Sequence, residues 1–110
     1  MIEIDGRLYF GYWKELPYDD FDTGETFEEY TKLKNTISRE GVIRHLEALP
    51  FAVMARTGKR VDIFTGEPLE FGQYRDGKFV FPWEFLHYYK NYDIGIPYEY
   101  EAYLKSIGVK

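Results

Sequence analysis

Two histidines, His45 and His87, are the side chains best suited to acid–base chemistry in this chain, because an imidazole titrates near neutral pH. Glu84 precedes His87 by three residues, which is about one turn on a helix, and Asp93 is a second carboxylate close in sequence. A pair of histidine and carboxylate of this kind would serve a small hydrolase or transferase. His45 lies in an amphipathic segment, and we expect a structural role for it.

Other kinds of catalytic and cofactor site lack the residues that they need. The chain has no cysteine, which excludes disulfides, thiolate metal ligands and a cysteine nucleophile. The acidic residues 19–22 are the candidate for a calcium loop. Aligning Gly24 with the sixth position of an EF-hand, however, places Phe21 third and Tyr30 twelfth, where oxygen ligands are required. We therefore predict no cofactor, no metal site and no catalytic residue.

A binding role is indicated by residues 15–29, which hold seven carboxylates and no basic residue. The start of a helix explains Glu28 and Glu29, because the helix dipole favours negative charge there. The preceding loop has no such explanation. Acids beside rings on a loop are typical of a surface that docks onto a basic partner, with the rings as anchors and the charges steering the approach. We predict that the partner-binding residues are Tyr18, Asp19, Asp20, Phe21 and Asp22.

Length and composition set the class of protein. The 110 residues, 45% apolar and 30% charged, predict one globular domain over residues 1–110. A net charge of −5 argues against a nucleic-acid partner and suits a protein partner with a basic surface. The N-terminus lacks the pattern of a signal peptide, and the longest apolar run, residues 51–55, is too short to span a membrane. We therefore expect a cytoplasmic protein with no membrane contact.

Turn and capping signals predict the elements of the N-terminal half. Residues 2–14 alternate apolar and polar side chains around an Asp-Gly turn, which predicts a β-hairpin. Thr26 and Glu29 form the sequence pattern of a capping box at the start of a helix. Ser38 is placed to cap a second helix over residues 39–49.

The C-terminal half predicts further strands and two helices that begin at prolines. Residues 51–55 read as a buried strand, and residues 60–64 read as its partner strand. Residues 71–81 form a hairpin pattern around a second Asp-Gly turn. Pro82 and Pro97 suit the first positions of two helices. The whole predicts an α+β fold, with a mixed, mostly antiparallel sheet packed against about four helices in a two-layer sandwich.

The last third of the chain resembles a motif of small, uncharacterised bacterial proteins. Residues 76–82 read Asp-Gly-Lys-Phe-Val-Phe-Pro, similar to a D-G-x-W-x-W-P turn and strand, with Phe79 and Phe81 in place of the tryptophans. The resemblance covers about residues 72–104, and Tyr100 stands where that motif has phenylalanine. Because its residues are turn formers, helix starters and core rings, it implies shared folding rather than shared catalysis. Small acidic proteins of this kind are loosely similar to the immunity proteins of bacterial toxin systems.

The sequence therefore favours a non-enzymatic binding protein that occludes a basic site on a partner, such as a bacterial toxin domain. Two alternatives stay open. One is the small hydrolase or transferase that uses His87. The other is a self-associating structural protein, a homodimer formed through exposed tyrosines. Helical spacing points Tyr88, Tyr92 and Tyr98 away from the predicted core, so these are the tyrosines expected at the surface.

Overall fold

The computed structural model describes residues 1–16, 22–54, 60–70 and 72–110. It confirms an α+β fold with a mixed, mostly antiparallel sheet and four helices in that part of the chain. None of these helices is long and apolar enough to cross a membrane. In chain order the elements are β1 (Ile2–Ile4), β2 (Arg7–Tyr9), α1 (Phe27–Thr31), α2 (Arg39–Ala48), β3 (Phe51–Met54), β4 (Arg60–Val61), β5 (Pro68–Leu69), β6 (Gly72–Asp76), β7 (Phe79–Pro82), α3 (Glu84–Asn91) and α4 (Tyr98–Ser106).

The main sheet has five strands in the order β1-β2-β7-β6-β3. Strands β2 and β7 are parallel, with Leu8 opposite Phe79, and the other neighbouring pairs are antiparallel. The two hairpins predicted around Asp-Gly turns are confirmed as β1–β2 and β6–β7.

The predicted pairing of residues 60–64 with residues 51–55 is wrong. Only Arg60–Val61 is a strand, and it pairs with β5, while β3 pairs with β6. The reason is a turn inside the predicted strand. The side chain of Asp62 accepts the backbone N–H groups of Phe64 and Thr65 at 2.7 and 3.2 Å, an aspartate turn that stops the extended chain.

The predicted helix starts are largely confirmed. The Thr26 hydroxyl accepts the N–H of Glu29 at 3.1 Å and donates to the Glu29 carboxylate, a variant of the capping box. The Ser38 hydroxyl accepts the N–H of Gly41 at 3.2 Å and caps α2. Pro82 is an exception, because it lies opposite Gln73 at the end of β7, so α3 begins two residues later than predicted.

Aromatic rings fill the core between the sheet and the helices. The ring of Phe10 stacks on Phe81 with centroids 4.8 Å apart and contacts Phe85 and Tyr100 at 5.3 and 5.1 Å. The expectation that Tyr88 lies at the surface is wrong. Its ring is fully buried and its hydroxyl accepts the N–H of Ile63 at 3.0 Å, because the hairpin of β4 and β5 covers that side of α3.

Two charged side chains connect helices around the start of α2. Arg39, the first residue of α2, binds the end of α3, and Glu101 on α4 binds the segment just before α2. Arg39 donates to the carbonyls of Tyr89, Tyr92 and Ile94 at 2.6–2.7 Å, where α3 ends and its carbonyls need partners. Glu101, only 8% exposed, accepts the N–H groups of Thr36 and Ile37 at 2.7 and 3.0 Å.

The pKa of Glu101 is set by opposing effects. Burial raises the pKa, but hydrogen bonds from the Asn35 amide and from the backbone N–H groups of Ile37 and Thr36, with the nearby Lys105 ammonium, outweigh burial. Together they bring the pKa down to about 2 from a usual value of 4.5. The folded protein therefore favours the ionised form of Glu101, and this form stabilises the fold.

Candidate partner-binding surface

The predicted partner-binding segment is only partly described. Tyr18, Asp19, Asp20 and Phe21 lie outside the described residues, so their placement stays a prediction. Asp22 is described, and its side chain is exposed, with Oδ1 accepting the N–H of Gly24 at 2.7 Å. This contact shapes the turn at Gly24, which has φ +75°, and leaves the carboxylate at the surface.

The acids that flank this segment have two kinds of position: one binds the backbone at the start of α1, and the others lie at the surface. Both oxygens of Glu15 accept the N–H of Phe27, at 3.2 and 3.1 Å, and so connect the loop to the first turn of α1. Glu28 and Glu29 are exposed on α1. A salt bridge at 3.6 Å joins Glu28 to Lys32, and both side chains are more than two-thirds exposed, so this pair is weak.

Glu25 is a largely buried acid of this segment that contacts several parts of the fold. Its carboxylate accepts the Met1 ammonium group at 2.9 Å, the N–H of Gly11 at 3.0 Å and the hydroxyl of Tyr30 at 2.8 Å. Burial, with this neighbouring carboxylate, raises the pKa of Tyr30. Glu25 therefore connects the N-terminus to α1, and sequence alone did not separate it from the surface acids.

A cluster of rings lies beside the acidic helix α1. Phe64, in the turn between β4 and β5, is 54% exposed, yet its ring contacts Phe27 with centroids 4.8 Å apart and Tyr92 at 5.1 Å. An aromatic ring this exposed and this well supported is typical of an anchor in a protein interface. The sequence did not indicate Phe64, because its exposure depends on the turn at Asp62 rather than on any local pattern.

Asp62 holds the turn that carries Phe64. Besides the two backbone N–H groups of the turn, its carboxylate contacts His87 Nε2 and accepts the hydroxyl of Tyr92, both at 2.7 Å. Burial raises the pKa of Asp62, but these hydrogen bonds outweigh it and hold the pKa below its usual value. Burial and the Asp62 charge also raise the pKa of Tyr92 to about 12. The turn is thus attached to α3 through a charge-assisted network.

His87 contacts a carboxylate that is distant in sequence rather than either of the two that are close to it. The expected partners were Glu84 and Asp93, but His87 contacts Asp62 at 2.7 Å and Glu67 at 3.8 Å. The expectation failed because Asp62 comes from a hairpin 25 residues away, which no local spacing indicates.

The two ring nitrogens of His87 have different neighbours. Nε2 lies 2.7 Å from Oδ2 of Asp62, whereas Nδ1 lies 3.4 Å from the Asn91 amide nitrogen and 3.8 Å from the Glu67 carboxylate. His87 also lines an open cavity of about 430 Å³, together with Tyr74, Trp83 and Lys90. An imidazole oriented by a carboxylate beside a cavity is an arrangement that can act as a general base.

His45 has the structural setting that the sequence predicts for it. Its Nε2 lies 2.7 Å from Oδ2 of Asp76, and the hydroxyl of Tyr100 donates to the same oxygen at 2.6 Å. Burial, together with the Asp76 charge, raises the pKa of Tyr100. Both histidines therefore share one arrangement, in which a buried aspartate also accepts a tyrosine hydroxyl. The His87 example lies at the 430 Å³ cavity.

The residues described do not bring three or more His, Asp or Glu side chains close enough to hold a metal ion. Comparisons with protein-family models, with curated proteins and with solved structures found no match to this chain.

Proposed function

We propose that this chain is a non-enzymatic binding protein that occludes a basic site on a partner protein. The contact is made by an acidic–aromatic surface on and beside α1, which we define by Asp22, Phe27, Glu28, Glu29 and Phe64. The segment Tyr18, Asp19, Asp20 and Phe21 leads directly into Asp22 and belongs to the same proposal. The observation that carries the proposal is Phe64, an exposed ring that packs on Phe27 of the acidic helix α1.

The support beneath Phe64 favours binding because little motion is lost when a partner covers the ring. Asp62 fixes the turn on one side, and the rings of Phe27 and Tyr92 fix it on the other. Ordering a loose side chain at an interface costs about 0.5–1.5 kcal/mol, and a side chain held in advance avoids much of that cost. Buried aromatic anchors are also the residues that dominate binding energy in most interfaces.

The charges favour a basic partner. The whole chain carries −5, and Asp22, Glu28 and Glu29 are exposed in the same segment as Phe27, the ring that packs on Phe64. Complementary charge raises the rate of association and suppresses wrong partners, and both effects weaken as salt screens them. The loose similarity to toxin-immunity proteins suggests a toxin domain as the class of partner.

A random dodecapeptide library displayed on phage tests the proposal, because selection from it does not require an identified partner. Selection on the immobilised full chain is expected to enrich peptides with Lys or Arg next to an apolar residue, with binding that weakens as salt rises. The enriched peptides should bind poorly to Phe64→Ala and to a variant in which Asp19, Asp20 and Asp22 are all lysine. Glu40→Lys is the matched control, since Glu40 is an exposed acid on α2, outside the surface. Enriched peptides without basic residues, or equal binding to all variants, would refute the proposal.

A second candidate function is hydrolysis or group transfer with His87 as general base. The favouring observation is the ring of His87, which Asp62 orients at the edge of the cavity of about 430 Å³. A panel of chromogenic esters and phosphodiesters, with the chain and its His87→Gln variant, tests it. Turnover above the uncatalysed rate that disappears in the variant would favour this candidate, and equal rates would remove it.

A further inference from the structure

A shallow cavity of about 190 Å³ lies between the N-terminus, α1 and the start of α4. Its walls include the carboxylates Glu25, Glu29 and Glu99 and the ring of Tyr98. Ligand pockets for drug-sized molecules hold about 300–1,000 Å³, so this cavity suits a single side chain rather than a cofactor.

The charge in this cavity is unbalanced. The Met1 ammonium group neutralises Glu25 through a contact of 2.9 Å. Glu29 and Glu99 remain, and neither Lys nor Arg is among the described residues that line the cavity. Lys34 is not among the lining residues, and its backbone N–H donates to the Tyr98 hydroxyl. A cationic group is therefore the ligand that the cavity walls would attract.

The ring of Tyr98 lies exposed at this cavity. It is 52% exposed, more than most large rings of the described residues, and its hydroxyl accepts the Lys34 N–H at 3.2 Å. An aromatic ring that is fixed in position can bind a cation over its face. A planar guanidinium both stacks on such a ring and pairs with carboxylates through two hydrogen bonds. A lysine ammonium group lacks the planar stacking and the paired hydrogen bonds.

We propose that this cavity binds the side chain of an arginine on the partner protein, with its guanidinium against Tyr98 and paired with Glu29 or Glu99. The inference rests on the proposed function, because it names the chemical group through which a basic partner engages this chain. The cavity and the exposed ring of Tyr98 distinguish the arginine site from the rest of the acidic–aromatic surface, with which the site shares Glu29.

An NMR titration of the isotope-labelled full chain with N-acetylargininamide tests the proposal. The amides of Leu33, Tyr98 and Glu99, all at the cavity, are expected to shift saturably, and N-acetyllysinamide should bind more weakly. N-acetylcitrullinamide has the same shape without the charge and should not bind. Absence of saturable shifts with N-acetylargininamide, or equal shifts with the citrulline compound, would overturn the proposal.

Matched variants locate the site. Glu29→Gln and Glu99→Gln should each weaken N-acetylargininamide binding by about two- to fivefold, the effect of one exposed ion pair. Tyr98→Leu should remove the preference for arginine over lysine, whereas Glu40→Gln, outside the cavity, should change nothing. Equal affinity in all four variants would show that the shifts come from diffuse charge attraction and would refute the site.

The two proposals fail separately. If the phage library yields basic peptides that depend on Phe64 while N-acetylargininamide leaves the cavity unchanged, the arginine site is wrong and the binding function stands. If N-acetylargininamide binds at Tyr98 but the library shows no basic preference, the cavity binds a cation and the proposed function is wrong.

Discussion

Replacing Glu101 with glutamine tests whether a buried, ionised carboxylate holds α4 against the segment that leads into α2. Its oxygens accept the backbone N–H groups of Thr36 and Ile37 and the amide of Asn35. A glutamine can keep its oxygen on the two backbone groups, but its NH₂ group then faces the Asn35 NH₂, so donor meets donor. The variant therefore loses both the charge and one hydrogen bond.

The magnitude follows from the pKa. The fall from 4.5 in the unfolded chain to about 2 in the folded protein corresponds to about 3 kcal/mol of stability. Because the folded pKa is the lower one, this contribution is complete at pH values above 4.5 and is lost as the pH falls toward 2. Linkage predicts that about 2 kcal/mol of it is lost between pH 7 and pH 3.

Urea unfolding at several pH values measures this directly, with the fluorescence of buried Trp13 and half-buried Trp83 as the probe. Glu101→Gln should be about 2–3 kcal/mol less stable than the parent chain at pH 7, and the difference should narrow by about 2 kcal/mol at pH 3. Glu99→Gln, an exposed acid on the same helix, is the control and should change stability by less than about 1 kcal/mol. A difference that stays constant with pH, or that is absent at pH 7, would refute the assigned role of the charge.

Three further substitutions test the turn that carries Phe64, the cap at the end of α3 and the close packing at Gly95. Asp62→Asn should speed amide hydrogen exchange in the β4–β5 turn by about tenfold or more, because the negative charge is lost and an NH₂ group replaces the oxygen that contacts both His87 Nε2 and the Tyr92 hydroxyl. Since the folded pKa of Asp62 is lowered, the same protection in the parent chain should decline on acidification through that pKa, and unchanged exchange would contradict the network. Arg39→Lys keeps the charge but removes the planar guanidinium that donates to three carbonyls. Thermal unfolding should therefore show a free energy of unfolding that is lower by about 1–3 kcal/mol, and an unchanged value would contradict the capping role. Gly95→Ala would place a methyl group 2.5 Å from Oδ1 of Asn35. We therefore expect chemical unfolding to show a free energy of unfolding that is lower by about 1–3 kcal/mol, and an unchanged value would mean that the loop shifts freely.

Local signals in the sequence predicted much of the secondary structure. Thr26 and Ser38 cap their helices as predicted, because a cap needs only a side-chain oxygen and an N–H three residues later. The two Asp-Gly hairpins also formed, since their turns depend on residues next to each other in the chain. The prediction for Pro82 was wrong for a reason that is also local, because a proline suits either the end of a strand or the start of a helix.

The candidate site could be predicted only in part. The sequence indicated an acidic segment with interleaved rings, and the exposed carboxylates of Asp22 and Glu28 agree with that description. It did not separate Glu25, whose carboxylate binds the N-terminus and a buried tyrosine, because those partners come from distant parts of the chain. Phe64 was missed for the same reason.

Composition, charge balance and short-range capping and turn patterns were thus readable from the residues themselves, since each depends on a residue and its near neighbours. Tertiary structure decided which carboxylate each histidine meets, which tyrosines are covered and where the cavities lie. These features depend on contacts between segments more than 20 residues apart, such as Asp62 with His87 and Asp76 with His45. Such contacts follow from how the sheet and helices pack, and no spacing along the chain records that packing.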